Sequence, residues 1–195
     1  MTTSTPDQIN LWLTIPTGTR RKYLDDIIKE SNIPKDRIVI VNTVECEPVE
    51  GVHNLWDLDE VNIHRWWNKG INFAEENGAT HVAVLNDDLQ LADDPLNRIA
   101  NAVSNGNHKI GIPIPFLGHI CGYCWVLSLE SGIRPDENYR WWYGDNDLFL
   151  QAEGWIVGVP AKVRHIEPNW QTSSNPYLME LTKADAEYFH KKWKL

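Results

Sequence analysis

The stretch His81-Val82-Ala83-Val84-Leu85 running into Asn86-Asp87-Asp88 decides how this chain folds. An apolar, β-branched run of strand length stops abruptly at an amide and two adjacent carboxylates. In α/β proteins, ligands bind in the crevice outside the carboxyl ends of the strands, so these three polar residues stand at a ligand position. Neighbouring carboxylates repel, and they persist most easily when a cation sits between them and a substrate. A solvated Asp-Asp turn is the plainer reading of the motif alone. A second acidic cluster, Gly144-Asp145-Asn146-Asp147, and a lone His165 after another apolar strand shift the balance towards a site.

The flanking sequence alternates between strand and helix patterns. Asn10 to Ile15 reads as a strand stopped by the turn-forming Pro16-Thr17-Gly18-Thr19-Arg20. Tyr23 to Ser31 has helical spacing and ends before Pro34, and Arg37 to Val41 is a short buried strand ending at Asn42-Thr43. A loop through Pro48 and Gly51 leads to a helix expected from Asp59 to Asn77. Strand, helix, strand, helix, strand implies parallel pairing with right-handed crossovers. Further on, Pro95 to Ser104 reads as a helix, Lys109 to Ile114 as a strand broken by prolines, and Cys121 to Leu129 as a strand. Asp145 to Glu153 fits a helix, Gly154 to Val163 a strand, and Thr182 to Leu195 a terminal helix with Thr182 as N-cap and Asp185 in capping-box position.

A chain of 195 residues is most simply one domain. Its apolar runs are too short to span a membrane and Met1 to Asn10 is polar, so a cytoplasmic protein with no membrane partner is expected. The formal net charge of -9 argues against a broad electrostatic grip on nucleic acid. It also means that a bound diphosphate needs a divalent cation and a few Arg or Lys beside it. Three cysteines fit a reduced compartment better than a disulfide framework. The ten tryptophans include the pairs Trp66-Trp67 and Trp141-Trp142, rings suited to cores, interfaces and stacking on sugar faces.

Several segments, in order, resemble the nucleotide-sugar-dependent glycosyltransferases of the GT-A fold, most closely the family 2 type, over roughly residues 9 to 168. Leu13-Thr14-Ile15-Pro16-Thr17-Gly18-Thr19-Arg20 looks like the opening strand and nucleotide-binding loop. Trp67-Asn68-Lys69-Gly70-Ile71-Asn72-Phe73-Ala74 looks like the asparagine-glycine helix segment, and Asn86-Asp87-Asp88 stands for the Asp-x-Asp signature. The segment from Gly132 through Tyr139-Arg140-Trp141-Trp142-Tyr143 to Gly144-Asp145-Asn146-Asp147-Leu148 looks like the acceptor side ending in the Glu-Asp motif, with Gly144 where glutamate is usual.

The resemblance implies one GT-A-like α/β domain over residues 1–195, with a mostly parallel central sheet flanked by helices. It implies a metal-dependent, inverting transfer of a sugar from a nucleoside-diphosphate donor to a hydroxyl acceptor, whether glycan, protein or modified DNA base. Asp145 matches the catalytic base, since a positioned carboxylate can take the acceptor's proton. Asp88 and His165 match the ligands of Mn2+ or Mg2+. Pro16, Thr17, Gly18, Thr19, Arg20, Asn42, Thr43, Asn68, Asn86, Asp87 and Gly122 fall on the donor side, Gly122 beneath the donor sugar. Trp141, Trp142 and Tyr143 fall on the acceptor wall. Asp147 is either a helix first-turn residue favoured by the macrodipole or a partner of the base.

Other chemistries fit less well. Cys121-Gly122-Tyr123-Cys124 lies in a strand pattern rather than at a helix start, and with His119 it offers three of the four ligands zinc needs. No P-loop, G-x-S-x-G or H-E-x-x-H pattern occurs. A nucleotidyltransferase of similar fold would carry a glycine-rich, basic first loop, where this chain has only Arg20 and Arg21. A non-catalytic carbohydrate-binding protein using the tryptophans is the rival from another class.

Overall fold

The structure is a computed structural model that describes residues 9–114, 120, 122–166 and 174–195. Met1 to Gln8, His119, Cys121 and Trp170 lie outside the described residues. Strands β1 (Leu11–Thr17), β2 (Ile38–Asn42), β3 (His53–Trp56), β4 (His81–Leu85), β6 (Ile110–Pro113), β7 (Cys124–Ser128) and β8 (Ile156–Val159) form one 7-stranded sheet in the order β3-β2-β1-β4-β7-β6-β8. Every neighbouring pair is parallel except those made by β7, which runs against both β4 and β6. A separate antiparallel ribbon joins β5 (Leu89–Ala92) to β9 (Lys162–His165).

Helices cover both faces of the sheet, which is why its strands read as unbroken apolar runs. Strand alternation sorts the side chains between two cores. On one face Leu13, Ile15, Ala83, Leu85 and Val126 meet α1 (Leu24–Glu30) and α3 (Pro95–Asn105) through Leu24, Ile27, Leu96, Ile99 and Val103. On the other, Trp12, Val82, Val84 and Leu127 meet α2 (Ile63–Glu76) and α4 (Gly144–Gln151) through Trp66, Trp67, Ile71, Ala74 and Leu148. A Cβ on Gly70 would fall on the Thr14 side chain, so glycine lets α2 lie close against β1. A fifth helix, α5 (Pro176–Trp193), packs over the segment that precedes α4. Among the described residues no helix is long and apolar enough to cross a membrane.

The fold class is as expected, but several boundaries differ. Pro16 and Thr17 belong to β1: pairing with β4 stops at Thr14, while pairing with β2 runs on to Thr17, so the ring of Pro16 breaks no ladder on the β4 side. The stretch 53–56 forms an edge strand where a loop was expected, and α2 begins at Ile63, not Asp59, because Asn62 caps it by accepting the Arg65 N–H. The run from Gly154 to Val163 divides at Pro160-Ala161 into β8 and β9, in different sheets. The final helix starts six residues before Thr182. Asn175 caps it, accepting from the N–H of Tyr177 and Leu178, with Pro176 in its first turn, while the Thr182 hydroxyl donates to the Leu178 carbonyl inside the helix. Cys124 is fully buried in the apolar core and packs there as a small side chain, while Cys46 is a free thiol.

Candidate active site

The polar groups collect at the carboxyl ends of β1, β2 and β4, joined there by the entry to the reversed β7. The Asn86 N–H donates to the Tyr123 carbonyl at 2.9 Å, which fastens the turn after β4 to the residue before β7. The Thr17 hydroxyl donates to Asp87 Oδ2 at 2.8 Å. Burial raises the Asp87 carboxyl above the usual carboxylate range, and the Thr17 hydrogen bond offsets part of that rise. Asp88 is 1% exposed. Its Oδ2 is ion-paired with the Arg20 guanidinium, and its Oδ1 lies 3.3 Å from His165 Nδ1. The ribbon register sets Leu89 opposite His165, which brings His165 to Asp88, 77 residues away in sequence.

The ends of β1 and β2 are tied closely. Thr43 donates both its N–H (2.8 Å) and its hydroxyl (3.1 Å) to the Thr17 carbonyl. A Cβ on Gly18 would lie 3.1 Å from the Thr43 hydroxyl, so this approach favours glycine. Asn42 is fully buried and its carboxamide is engaged by Arg21, Cys46, Asn54 and the Leu55 carbonyl. Arg21 also donates to the Glu47 carbonyl at 2.7 Å. Thr19 is exposed beside this edge, and so is Trp56, whose register partner is Asn42.

Beyond the entry to β7, α4 starts after Tyr143, whose backbone is left-handed at φ 67°. Strain of this kind in a non-glycine residue concentrates at functional sites. Its ring packs 5.1 Å from Phe189 of α5. Asp145 and Asp147 both sit in the first turn of α4. The Asn146 N–H donates to Asp145 Oδ1 at 2.9 Å. Asp147, fully buried, also accepts from Trp193 (2.8 Å), the Tyr139 hydroxyl (3.2 Å) and Gln151 (2.6 Å). Trp142 is half exposed, while Trp141 is partly buried against the core. Asn68 donates to the Pro135 carbonyl and to Glu137, both at 2.8 Å, so its amide holds the segment that precedes α4 and is engaged there, not at the β1–β2 edge.

Gly122 and Tyr123 link the two acidic clusters. A Cβ on Gly122 would lie 3.4 Å from Asp145 Oδ2 and 3.5 Å from the Trp67 ring. The Tyr123 ring meets the His165 ring edge-on at 4.8 Å. A line of neighbouring residues thus runs from Asp145 through Gly122-Tyr123 and His165 to Asp88 and Arg20. Among the described residues no group of three or more His, Cys, Asp or Glu side chains is arranged to hold a metal.

Sequence reasoning missed His64, Tyr123 and Asp185. His64 precedes Asn68 by one helical turn and shares its face, which is a readable spacing. It is 1% exposed, its Nδ1–H donates to the Tyr139 carbonyl at 2.9 Å, and burial pushes its pKa down to about 4. Asp185 is not a capping-box residue: its carboxylate accepts N–H bonds from Arg140, Trp141 and Trp142, each at 2.8 Å. The inward polar stripe Asp185, Tyr188, Lys192, at helical spacing, was its signal.

No protein-family model matches the chain, and no curated protein matches it in sequence. Solved structures do. S. aureus TarS superposes with a TM-score of 0.61 at 10% identity, over 79% of this chain and 36% of TarS. A shorter TarS chain, residues 1–349, gives 0.60 at 11% identity, over 79% of this chain and 59% of that one. GalNAc-T7 with UDP, GalNAc and Mn2+ gives 0.66 at 11% identity, over 92% of this chain and 50% of that one. The chain therefore spans between about a third and three fifths of the length of the structures it matches. The fold is GT-A-like.

Proposed function

We propose that this chain is a metal-dependent, inverting glycosyltransferase that moves a sugar from a nucleoside diphosphate to a hydroxyl acceptor. The observation that carries the reading is the line of neighbouring residues joining Asp145 to Asp88 at the carboxyl edge of the sheet. The fold supports it, as does a neighbour crystallised with UDP, GalNAc and Mn2+. A cytoplasmic setting belongs to the same reading, supported by the free thiol of Cys46.

Pro16 to Arg20, Asn42 and Thr43 form the nucleotide side of the crevice, with Asn86 and Asp87 beside them and Gly122 under the donor sugar. Arg21 and the exposed ring of Trp56 are further candidates for the base. Asp88 and His165 supply a carboxylate oxygen and an imidazole nitrogen 3.3 Å apart, donor types that suit Mn2+ better than Mg2+. Two protein ligands suffice where substrate phosphates and water complete the shell. A cation there would neutralise charge on the departing diphosphate. Arg20 lies within reach of the same charge. Asp145, at the positive end of α4, accepts the acceptor's proton as the new C–O bond forms. A base across the crevice from the leaving group gives in-line displacement and inversion.

The test is binding and turnover with UDP, GDP and dTDP sugars. A donor present at a hundred times its Kd raises Tm by about 5–10 °C with Mn2+, and Asp88→Asn removes the metal-dependent part. Asp145→Asn keeps that shift and lowers kcat by about 100-fold or more. Full transfer activity in Asp145→Asn overturns the reading.

A further inference from the structure

Residues 132–143, which lead into the base, form neither helix nor strand, so their backbone groups need partners from elsewhere. Helix α2 takes the carbonyls: Asn68 donates to that of Pro135, Asn62 to Glu137, His64 to Tyr139, and the Ile63 N–H to Arg140. Helix α5 takes the amides, for the Asp185 carboxylate, 2% exposed, accepts from three consecutive N–H groups at 140, 141 and 142. Farther along α5, the Lys192 ammonium bridges Asp136 (2.8 Å), inside the segment, and Asp147 (2.7 Å), just beyond it in α4. The Tyr188 hydroxyl adds a bond to Asp136 at 3.0 Å.

A carboxylate bound by three backbone N–H groups is a strong, directional tie. It acts on the three residues before left-handed Tyr143, which itself stands two residues before Asp145. We propose that α5 is a clamp that sets the acceptor side of the active site, with Asp185 as its positioning residue and Lys192 as its second handle. Asp185 touches neither donor nor acceptor; it acts through the backbone of residues 140–142. The proposal rests on the functional reading above for its consequence in catalysis, and on geometry alone for the clamp.

Two measurements test it. In Asp185→Asn, one acceptor oxygen becomes an N–H donor facing the backbone amides. Hydrogen exchange at Arg140, Trp141 and Trp142 is expected to accelerate while that of β1 and β4 stays unchanged. Transfer kcat is expected to fall by about 10- to 100-fold, the scale of a small misplacement of a catalytic group, with donor affinity in Mn2+ unaltered. Unchanged exchange at 140–142 overturns the clamp. Unchanged transfer, or donor affinity lost in step with transfer, overturns the positioning role. Should Asp185→Asn fail to fold, Lys192→Met carries the same test, with the same split between transfer and donor affinity. If the wild-type chain transfers no sugar from any donor, the functional reading falls while the exchange measurement still judges the clamp.

Discussion

Gly144 stands where glutamate is usual in the glycosyltransferases this chain resembles, and the His64 imidazole fills the space a side chain there would occupy. The ring is locked: Nδ1–H is held by the Tyr139 carbonyl, and the Trp67 ring stands at 90° to it, 4.9 Å away. A methyl group at 144 has nowhere to go, and overpacking a closed site costs about 1–3 kcal/mol. Gly144→Ala is therefore expected to lose that much in urea unfolding. In a His64→Ala background the same substitution should cost little, and a double-mutant cycle checks the coupling. Equal penalties in both backgrounds would show that the imidazole is not what excludes the methyl group.

Helix α2 shows how one cap residue does two things. The Asn62 oxygen accepts the Arg65 N–H at 2.9 Å, and its amide nitrogen donates to the Glu137 carbonyl at 2.8 Å. Asn62→Ala should destabilise the protein by about 1–2 kcal/mol, more than a simple cap, since a second hydrogen bond, to the segment before α4, is lost with it. Asn62→Asp keeps the cap and loses only the second bond, so it should fall between the two in urea unfolding. The long elements were legible because their periodicity is strong: β1, β2, β4, α3 and the start of α4 stand within two residues of their sequence boundaries. The four-residue strands β3, β5 and β9 were not. Each is too short to display a period, and β9 owes its pairing to a partner some 70 residues earlier. Thr182 and Asp185 carry the spacing of a helix start, but they lie one and a half turns or more inside α5, where tertiary contacts use them otherwise.

Across the molecule, buried ionisable groups make stability depend on pH in two windows. His64 has a folded pKa near 4 against about 6.5 unfolded, so its contribution is present above pH 6.5 and lost as pH falls through about 4. For Asp136, burial alone would raise the pKa, but hydrogen bonds from Lys192, Asn138 and Tyr188 hold it down at about 2. Its contribution is present above the ordinary carboxylate value near 4 and lost on the way to 2. Urea midpoints measured from pH 7 to 3 should fall in both windows. His64→Gln flattens the upper one and Asp136→Asn the lower; a slope unchanged in either variant would assign that titration to another group. On this scale the pairing of Asp88 with His165 was legible only as two local motifs near strand ends, and the structure puts His165 at the end of β9 itself, 3.3 Å from Asp88. The scaffold of the acceptor edge was not legible, since it consists of contacts between segments 40 to 80 residues apart that no local pattern records.

The line of ties from α5 has a bearing on how the protein is made. A ribosome delivers residues 11–92, α2 among them, well before Asp185 and Lys192 emerge. Until α5 is added, the loop before Asp145 is held through its carbonyls, while its amides at 140–142 wait for the Asp185 carboxylate. Only a helix made afterwards ties that loop from both sides.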